Sequence, residues 1–426
     1  MASSPTFSDR AAAVAALFRS PRWTRDRLRA YQEERLRRIV AHAAARVPFY
    51  RGVDANSIRT LDDLHRLPVI GKQDVQRDPS AFLVRGVARD HLSWVMTSGS
   101  TGQPIHVCRA MFEERLLQAF RIRAELLLGM RVTDRRAVVS HTGVPRNPLR
   151  LPKPTVLERV GVLRRFTHDI SSPPGEILKF LRRLRPEVVA SYPGGLSKVA
   201  NEMTEIDRAA IRPRFIVTGA ESLRPETRKI IEEAFRAPVY DFYGAHECNL
   251  VAWECQRRNG LHVNEDNIIL EILTEGHPAH PGEAGDVVIT TLHSYAMPLL
   301  RFRLGDIAVR GTECSCGLPY SMLGSLQGRS AEVAYRSDGT TVGAIAIKQA
   351  FVGEAAWIKE FQLVQTVRGR LAAFVVTHKQ PASQDIERVA SGIRQAYSLE
   401  MTIEVVEELP IRPSGKLPNF VSRLDG

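Results

Sequence analysis

Val188-Val189-Ala190-Ser191-Tyr192, followed by Pro193-Gly194, and Phe215-Ile216-Val217-Thr218, followed by Gly219, are two short, nearly apolar runs that stop at turn-forming residues. Runs of this length, bounded by Gly or Pro, read as buried strands. Ahead of them, residues 174–185 carry apolar side chains at helical spacing, and residues 111–128 do the same. Alternation of helix and strand predicts an α/β sheet. Further upstream, residues 23–46 read as an amphipathic helix that Val47-Pro48-Phe49-Tyr50 ends, because a proline restricts the residue before it.

Past Gly285 the texture changes. Residues 286–292 and 307–310 read as short β segments separated by Gly and Pro, which predicts a β-rich subdomain. From Ser330 onward the pattern is a hairpin around Asp338-Gly339, a helix near residues 343–350, strands near Phe361 and Phe374, a helix over 384–397 and a strand over 402–406. That is an α+β unit of about a hundred residues, a usual domain size.

The chain has 426 residues, too many for one ordinary domain, so a large N-terminal domain of residues 1–328 and a small one of 329–426 are expected. Hydrophobic content of 44% and charged content of 25% are globular values that argue against disorder. No stretch of about 18 apolar residues appears, and the basic, apolar, small-residue order of a signal peptide is missing. A cytoplasmic protein with no membrane association is therefore expected. The net charge of +12 is spread along the chain without aromatic interleaving, so it suits anionic small molecules rather than dedicated nucleic-acid binding. Five scattered cysteines do not suggest a disulfide framework and leave metal ligation or burial.

The strongest local signal is Thr97-Ser98-Gly99-Ser100-Thr101-Gly102-Gln103-Pro104, after the apolar run Trp94-Val95-Met96. Small residues let backbone amides approach a phosphate, and hydroxyls add donors without bulk. It is not the G-x-x-x-x-G-K-[ST] loop, and alone such a cluster is more often just an ordinary loop. Downstream come Thr218-Gly219-Ala220-Glu221, Asp241-Phe242-Tyr243-Gly244-Ala245-His246-Glu247, Arg301-Phe302-Arg303-Leu304-Gly305-Asp306, Gly328-Arg329-Ser330 and Pro413-Ser414-Gly415-Lys416. In that order they resemble the core motifs of the adenylate-forming superfamily of acyl-CoA synthetases, peptide-synthetase adenylation domains and luciferases. Residues 42–51 (His-Ala-Ala-Ala-Arg-Val-Pro-Phe-Tyr-Arg) and 254–266 are similar to the branch of phenylacetate:CoA ligase and the capsular-biosynthesis-type ligases.

The resemblance implies a large adenylation domain with α/β and β-rich subdomains and a small, mobile α+β C-terminal domain. It implies ATP-dependent activation of a small carboxylic acid, with an aromatic acid as a candidate, to an acyl-adenylate, then transfer to a thiol, expected to be coenzyme A. By resemblance, Thr97, Ser98, Gly99, Ser100, Thr101 and Gly102 cradle phosphates. Tyr243 stacks on adenine beside Gly219, Ala220, Glu221, Gly244 and His246, an aromatic face suiting a planar base. Glu247 coordinates Mg²⁺, a hard cation that prefers oxygen ligands. Asp306 accepts from both ribose hydroxyls, Arg329 stands at the joint between domains, and Lys416 offsets charge between the acid and the α-phosphate. His168, Tyr192, Pro193 and Gly194 are candidates for the acid pocket.

Cys255 and His262, with Cys314 and Cys316, form a second constellation. Thiolates plus one imidazole suit a closed tetrahedral Zn²⁺ site of structural role. Cys108 and Cys248 have no such pattern and read as packing residues. Three departures from the family motifs matter: Gln103 stands where a lysine is usual, His246 where a hydroxyl residue is usual, and Ser330-Ala331-Glu332 where an acidic pair is usual. They keep open an adenylating enzyme that does not use coenzyme A: an amide-forming or carrier-loading ligase, or a diazotase activating nitrite for an aryl amine. A scaffold that lost catalysis is the rival from another class, against which Glu247, Asp306 and Lys416 stand. The sequence does not fix the oligomeric state, and a homodimer stays open.

Overall fold

The two apolar runs that anchor the sequence argument are hydrogen-bonded neighbours. The computed structural model describes residues 7–87, 92–96, 105–141, 160–329, 333–352, 357–407, 409, 420–422 and 424. Strands β1 (Ser93–Met96) and β2 (His106–Arg109) form an antiparallel pair flanking the serine- and glycine-rich loop, which lies outside the described residues. Five strands then run parallel, β3 (Arg136–Ser140), β4 (Arg165–Asp169), β5 (Val188–Ser191), β6 (Phe215–Gly219) and β7 (Val239–Ala245), in spatial order 4-3-5-6-7.

That parallel half continues into a β-rich half within one 12-stranded sheet. Its further strands are β8 (Asn249–Glu254), β9 (Leu261–Val263), β10 (Ile268–Thr274), β11 (His277–Pro278), β12 (Ala284–Thr291), β13 (Phe302–Arg310) and β14 (Met322–Arg329). β7, β8, β9 and β14 pair antiparallel in succession, as do β12, β10 and β11.

The parallel strands read as unbroken apolar runs because both their faces are covered. On one face Val189, Ile216 and Val239 pack against helices Pro174–Leu184, Pro193–Asn201 and Pro225–Phe235 through Leu181, Leu196, Val199, Ile231 and Phe235. On the other, Val188, Ala190, Val217 and Phe242 pack against Ala124 of helix Met111–Leu127 and Leu28 of helix Arg25–Arg46. Each of the three helices on the first face has a proline in its first turn, where the missing N–H costs nothing. Thr24 caps helix Arg25–Arg46 by accepting from the Arg27 amide at 3.3 Å, and the helix gives way at Val47, just before Pro48.

Among the described residues, one compact unit holds 7–304 and 309–325, and a second holds Gly305–Ala308 and the chain from Leu326 onward. The second unit contains the hairpin β15 (Val333–Tyr335) and β16 (Thr341–Gly343), and a four-stranded sheet of β17 (Ile358–Val367), β18 (Arg370–Thr377), β19 (Glu400–Val405) and β20 (Phe420–Ser422) in order 19-18-17-20. Helices Ala344–Val352 and Ser383–Tyr397 cover the sheet, joining Ile347, Phe351, Val389 and Ile393 with Phe361, Leu363, Leu371 and Val375 in one core.

Candidate active site and metal centre

Parallel strands end on one side of a sheet, and in open α/β sheets ligands bind beyond those carboxyl ends. Here that edge gathers His141 after β3, Tyr192 after β5, Ala220-Glu221 after β6, and the Tyr243–Glu247 segment at the end of β7. The rings of His141 and Tyr192 lie 5.5 Å apart. The Gly194 amide donates to Glu221 Oε2 at 3.1 Å, bringing a carboxylate to the amino end of helix Pro193–Asn201, where backbone amides lack helical partners. Two glycines are dictated by close approach: a Cβ on Gly219 would stand 2.6 Å from the Phe242 carbonyl oxygen, and one on Gly244 2.7 Å from that of Asn249. Tyr243 is buried and stands opposite Ala252 of β8.

The other pocket candidates divide. Pro193 is buried and Gly194 exposed at the same edge as Tyr192. His168, in β4, stacks on Phe180 of helix Pro174–Leu184 at 4.9 Å and 15°, so it belongs to the packing of that helix on the sheet. Asp306 lies half-buried in β13, after Gly305, whose φ of +82° suits only glycine comfortably. Arg329 is the last residue of β14. Thr97, Ser98, Gly99, Ser100, Thr101, Gly102 and Lys416 lie outside the described residues.

Glu247 occupies the tight turn His246-Glu247-Cys248 between β7 and β8, closed by the Cys248 amide donating to the Ala245 carbonyl at 3.2 Å. Its side chain is buried, while His246 is exposed. Two residues that sequence reasoning missed surround this segment. Arg109, at the end of β2, donates through Nη1 to Glu114 at 2.7 Å and through Nη2 to the His246 carbonyl. Asp241 is held out of water beside Glu254: its amide donates to Glu254 at 2.8 Å, and Arg228 donates to the other Glu254 oxygen at 2.7 Å. Burial, then the Glu254 charge, push the Asp241 carboxyl up to about 7, with Arg228 opposing. Asp241 falls within the motif quoted above but is given no role by it, and no motif contains Arg109; their partners lie 13 and 137 positions away in the chain.

At the far end of β8 the cysteines and histidine of the second constellation converge. One ligand atom each from Cys255, His262, Cys314 and Cys316 lies within 4.8 Å of all the others. The Cys255 and Cys314 sulfurs are 3.7 Å apart, close to the ~3.8 Å edge of a tetrahedron with zinc–sulfur bonds of about 2.3 Å. His262 Nε2 lies 3.1 Å from the Cys316 sulfur, and Nδ1 lies 3.3 Å from the Tyr320 carbonyl, which can only accept. That partner fixes the proton on Nδ1 and leaves the Nε2 lone pair facing the thiols, the orientation a metal-binding imidazole needs. The donor set therefore fits a closed site for a soft divalent ion.

No family model matches the chain. It is 31% identical over 325 residues to the phenylacetate–coenzyme A ligase of Thermus thermophilus, covering 72% of each protein. With the Escherichia coli enzyme of the same name it shares 28% over 303 residues, 66% of this chain and 67% of that one. Among solved structures, 2-hydroxyisobutyryl-CoA ligase in the postadenylation state, bound to 2-HIB-AMP, superposes with a TM-score of 0.74 at 19% identity, over 92% of this chain and 88% of that one. That likeness is one of fold.

Proposed function

From the premise that this chain belongs to the phenylacetate–coenzyme A ligase family of adenylate-forming enzymes, we propose that it converts a small carboxylic acid, ATP and coenzyme A into the acyl-CoA, AMP and pyrophosphate. The observation that carries this reading is the strand-end array, in which Gly219, Tyr243 and Glu247 are brought to one edge by β6, β7 and the turn that follows. In the first half-reaction an oxygen of the acid's carboxylate attacks the α-phosphorus of ATP, the bond to the bridging oxygen breaks, and pyrophosphate leaves. In the second, the coenzyme A sulfur, having lost its proton, attacks the acyl carbon, and AMP departs with the bonding pair.

Tyr243 offers the adenine a flat apolar face, with Gly219-Ala220-Glu221 beside it, Gly244 and His246 adjoining. Residues 97–102 supply amides and hydroxyls to the phosphates, Asp306 accepts from the ribose hydroxyls, and Arg329 meets ribose or phosphate. Glu247 would hold Mg²⁺, which neutralises charge on the phosphate oxygens when bound. Lys416 balances charge between carboxylate and α-phosphate in adenylate formation and takes no part in thioester formation. We assign ATP and acid binding to residues 1–328 and this lysine to a mobile domain of 329–426. Tyr192, Pro193 and Gly194, beside His141, border the acid, for which an aromatic acid is the proposed class. Cys255, His262, Cys314 and Cys316 would hold Zn²⁺ as a structural centre, with no open position for chemistry.

Product analysis tests the reading. Purified protein is given ATP, Mg²⁺ and a panel of aromatic and short hydroxy acids, with and without coenzyme A, and in parallel nitrite with aryl amines. An acid-dependent rise in AMP and acyl-CoA is expected. AMP release that ignores coenzyme A but rises with nitrite or an amine overturns it.

A further inference from the structure

Strand β2 leads directly out of the proposed phosphate loop and ends in Arg109, 138 residues before Glu247 in the chain. Arg109 is 3% exposed. One arm of its guanidinium binds Glu114, in the first turn of helix Met111–Leu127, and the other binds the carbonyl of His246, immediately before Glu247. The same helix start is fixed from a second side: Glu113 accepts the amides of Ala110 at 2.8 Å, Tyr295 at 2.8 Å and Ala296 at 3.1 Å. Glu114 also takes Gln118 Nε2 on its other oxygen at 2.9 Å, so both carboxylate oxygens are committed and the guanidinium's orientation is set.

We infer that Arg109 is a positioning residue for Glu247, coupling the strand that follows the phosphate loop to the turn that presents the magnesium-binding carboxylate. The inference rests on the proposed role of Glu247. Two features support it. Arg109 holds the His246 carbonyl and Asn267 Nδ2 donates to the Cys248 carbonyl at 3.1 Å, so the backbone on both sides of Glu247 is held from outside the three-residue turn. A buried guanidinium forked between a carboxylate and a carbonyl holds both at once, as a lysine's single ammonium does less well. Partners that orient a metal ligand in this way typically change metal affinity by roughly 10- to 100-fold when removed.

The test is the Mg²⁺ dependence of acid-dependent pyrophosphate release, in wild type, Arg109→Gln, Arg109→Lys, Glu114→Gln and Glu247→Gln, with the thermal midpoint measured beside it. Arg109→Gln should raise the half-saturating Mg²⁺ concentration about tenfold or more, Arg109→Lys and Glu114→Gln by less, with the KM for the acid within about twofold throughout. Glu114 is partly exposed, so its variant keeps the test alive should Arg109→Gln not fold. An altered Mg²⁺ response in Glu247→Gln with none in Arg109→Lys and Glu114→Gln overturns the coupling alone. An unaltered response in Glu247→Gln overturns the role of Glu247 and the coupling with it.

Discussion

Strand β8 carries a candidate ligand at each end: Glu247 lies in the turn that precedes it and Cys255 follows it directly. Six residues of strand separate them, about 20 Å at ~3.3 Å per residue. At the Cys255 end, four side chains of the chain itself close on one point and can satisfy an ion completely. At the Glu247 end, a carboxylate, an aromatic ring and two glycines are gathered at the ends of β6 and β7, where the proposed nucleotide would dock. On the proposed reading, the first arrangement would contribute folding energy and the second binding and chemistry. Between them Trp253 of β8 is fully buried, with the Arg123 guanidinium 5.3 Å from its ring centroid. Perturbing one end should therefore leave the other nearly untouched.

The largest effect expected is at the chemical end. Lys416→Ala should slow adenylate formation by roughly 10²- to 10³-fold, while pre-made acyl-adenylate is still converted to thioester at near the normal rate. Single-turnover assays of the two half-reactions measure both. Equal losses in both would remove the separation of roles.

Next comes the cluster. Cys314→Ser, or extraction of the ion by a chelator, should lower stability by about 2 kcal/mol or more, roughly 2–4 °C in melting temperature for a unit of this size. The KM for ATP should stay within about twofold, and elemental analysis should give about one zinc per chain for wild type only. Zinc-free wild-type protein of unchanged stability would break the comparison.

How the two ends were read from sequence differs for a physical reason. The helices over 111–127 and 174–184 and the strands 188–191 and 215–219 follow local periodicity, and the structure keeps them to within a residue or so of their expected limits. Helix Phe7–Arg19 was not anticipated, since its alanine-rich run carries little polar contrast. The four metal-type residues were legible by residue type although 52 positions separate His262 from Cys314. What joins them is the pairing of β9 with β14, Met322 opposite His262, which no local signal announces. The roles of Arg109 and Asp241 were illegible because Glu254 meets Asp241 only through the pairing of β7 with β8, and Arg109 reaches His246 from a separate two-stranded sheet. The placement of His168 against Phe180 likewise depends on the face of β4 that the parallel pairing presents.

A third effect sharpens the chemical end through pH. The Asp241 carboxyl, raised to about 7, is protonated in the fold and ionised in the unfolded chain above about pH 4. Its ionisation thus costs stability progressively from about pH 4 to 7 and no further beyond, a few kcal/mol at most at ~1.4 kcal/mol per pKa unit. Burial likewise pushes Glu113 up to about 7, so the informative quantity is the difference between variants. Asp241→Asn should lose less stability than wild type between pH 5 and 7.5 in denaturant titrations. Parallel curves would show that Asp241 is already ionised. The smallest effect belongs to Cys248, fully buried in the turn and distant from the cluster: Cys248→Ser should cost only ~1–2 kcal/mol for the buried hydroxyl and leave the zinc content unchanged.

The central claim, acid activation by adenylation at the β7–β8 end, is tested most directly by isotope exchange between pyrophosphate and ATP in the absence of coenzyme A. The account predicts exchange that requires both Mg²⁺ and a carboxylic acid, is lost in Lys416→Ala, and persists in Cys314→Ser assayed below its melting temperature. Hydrolysis of ATP to ADP and phosphate, or exchange indifferent to every acid offered, would contradict it.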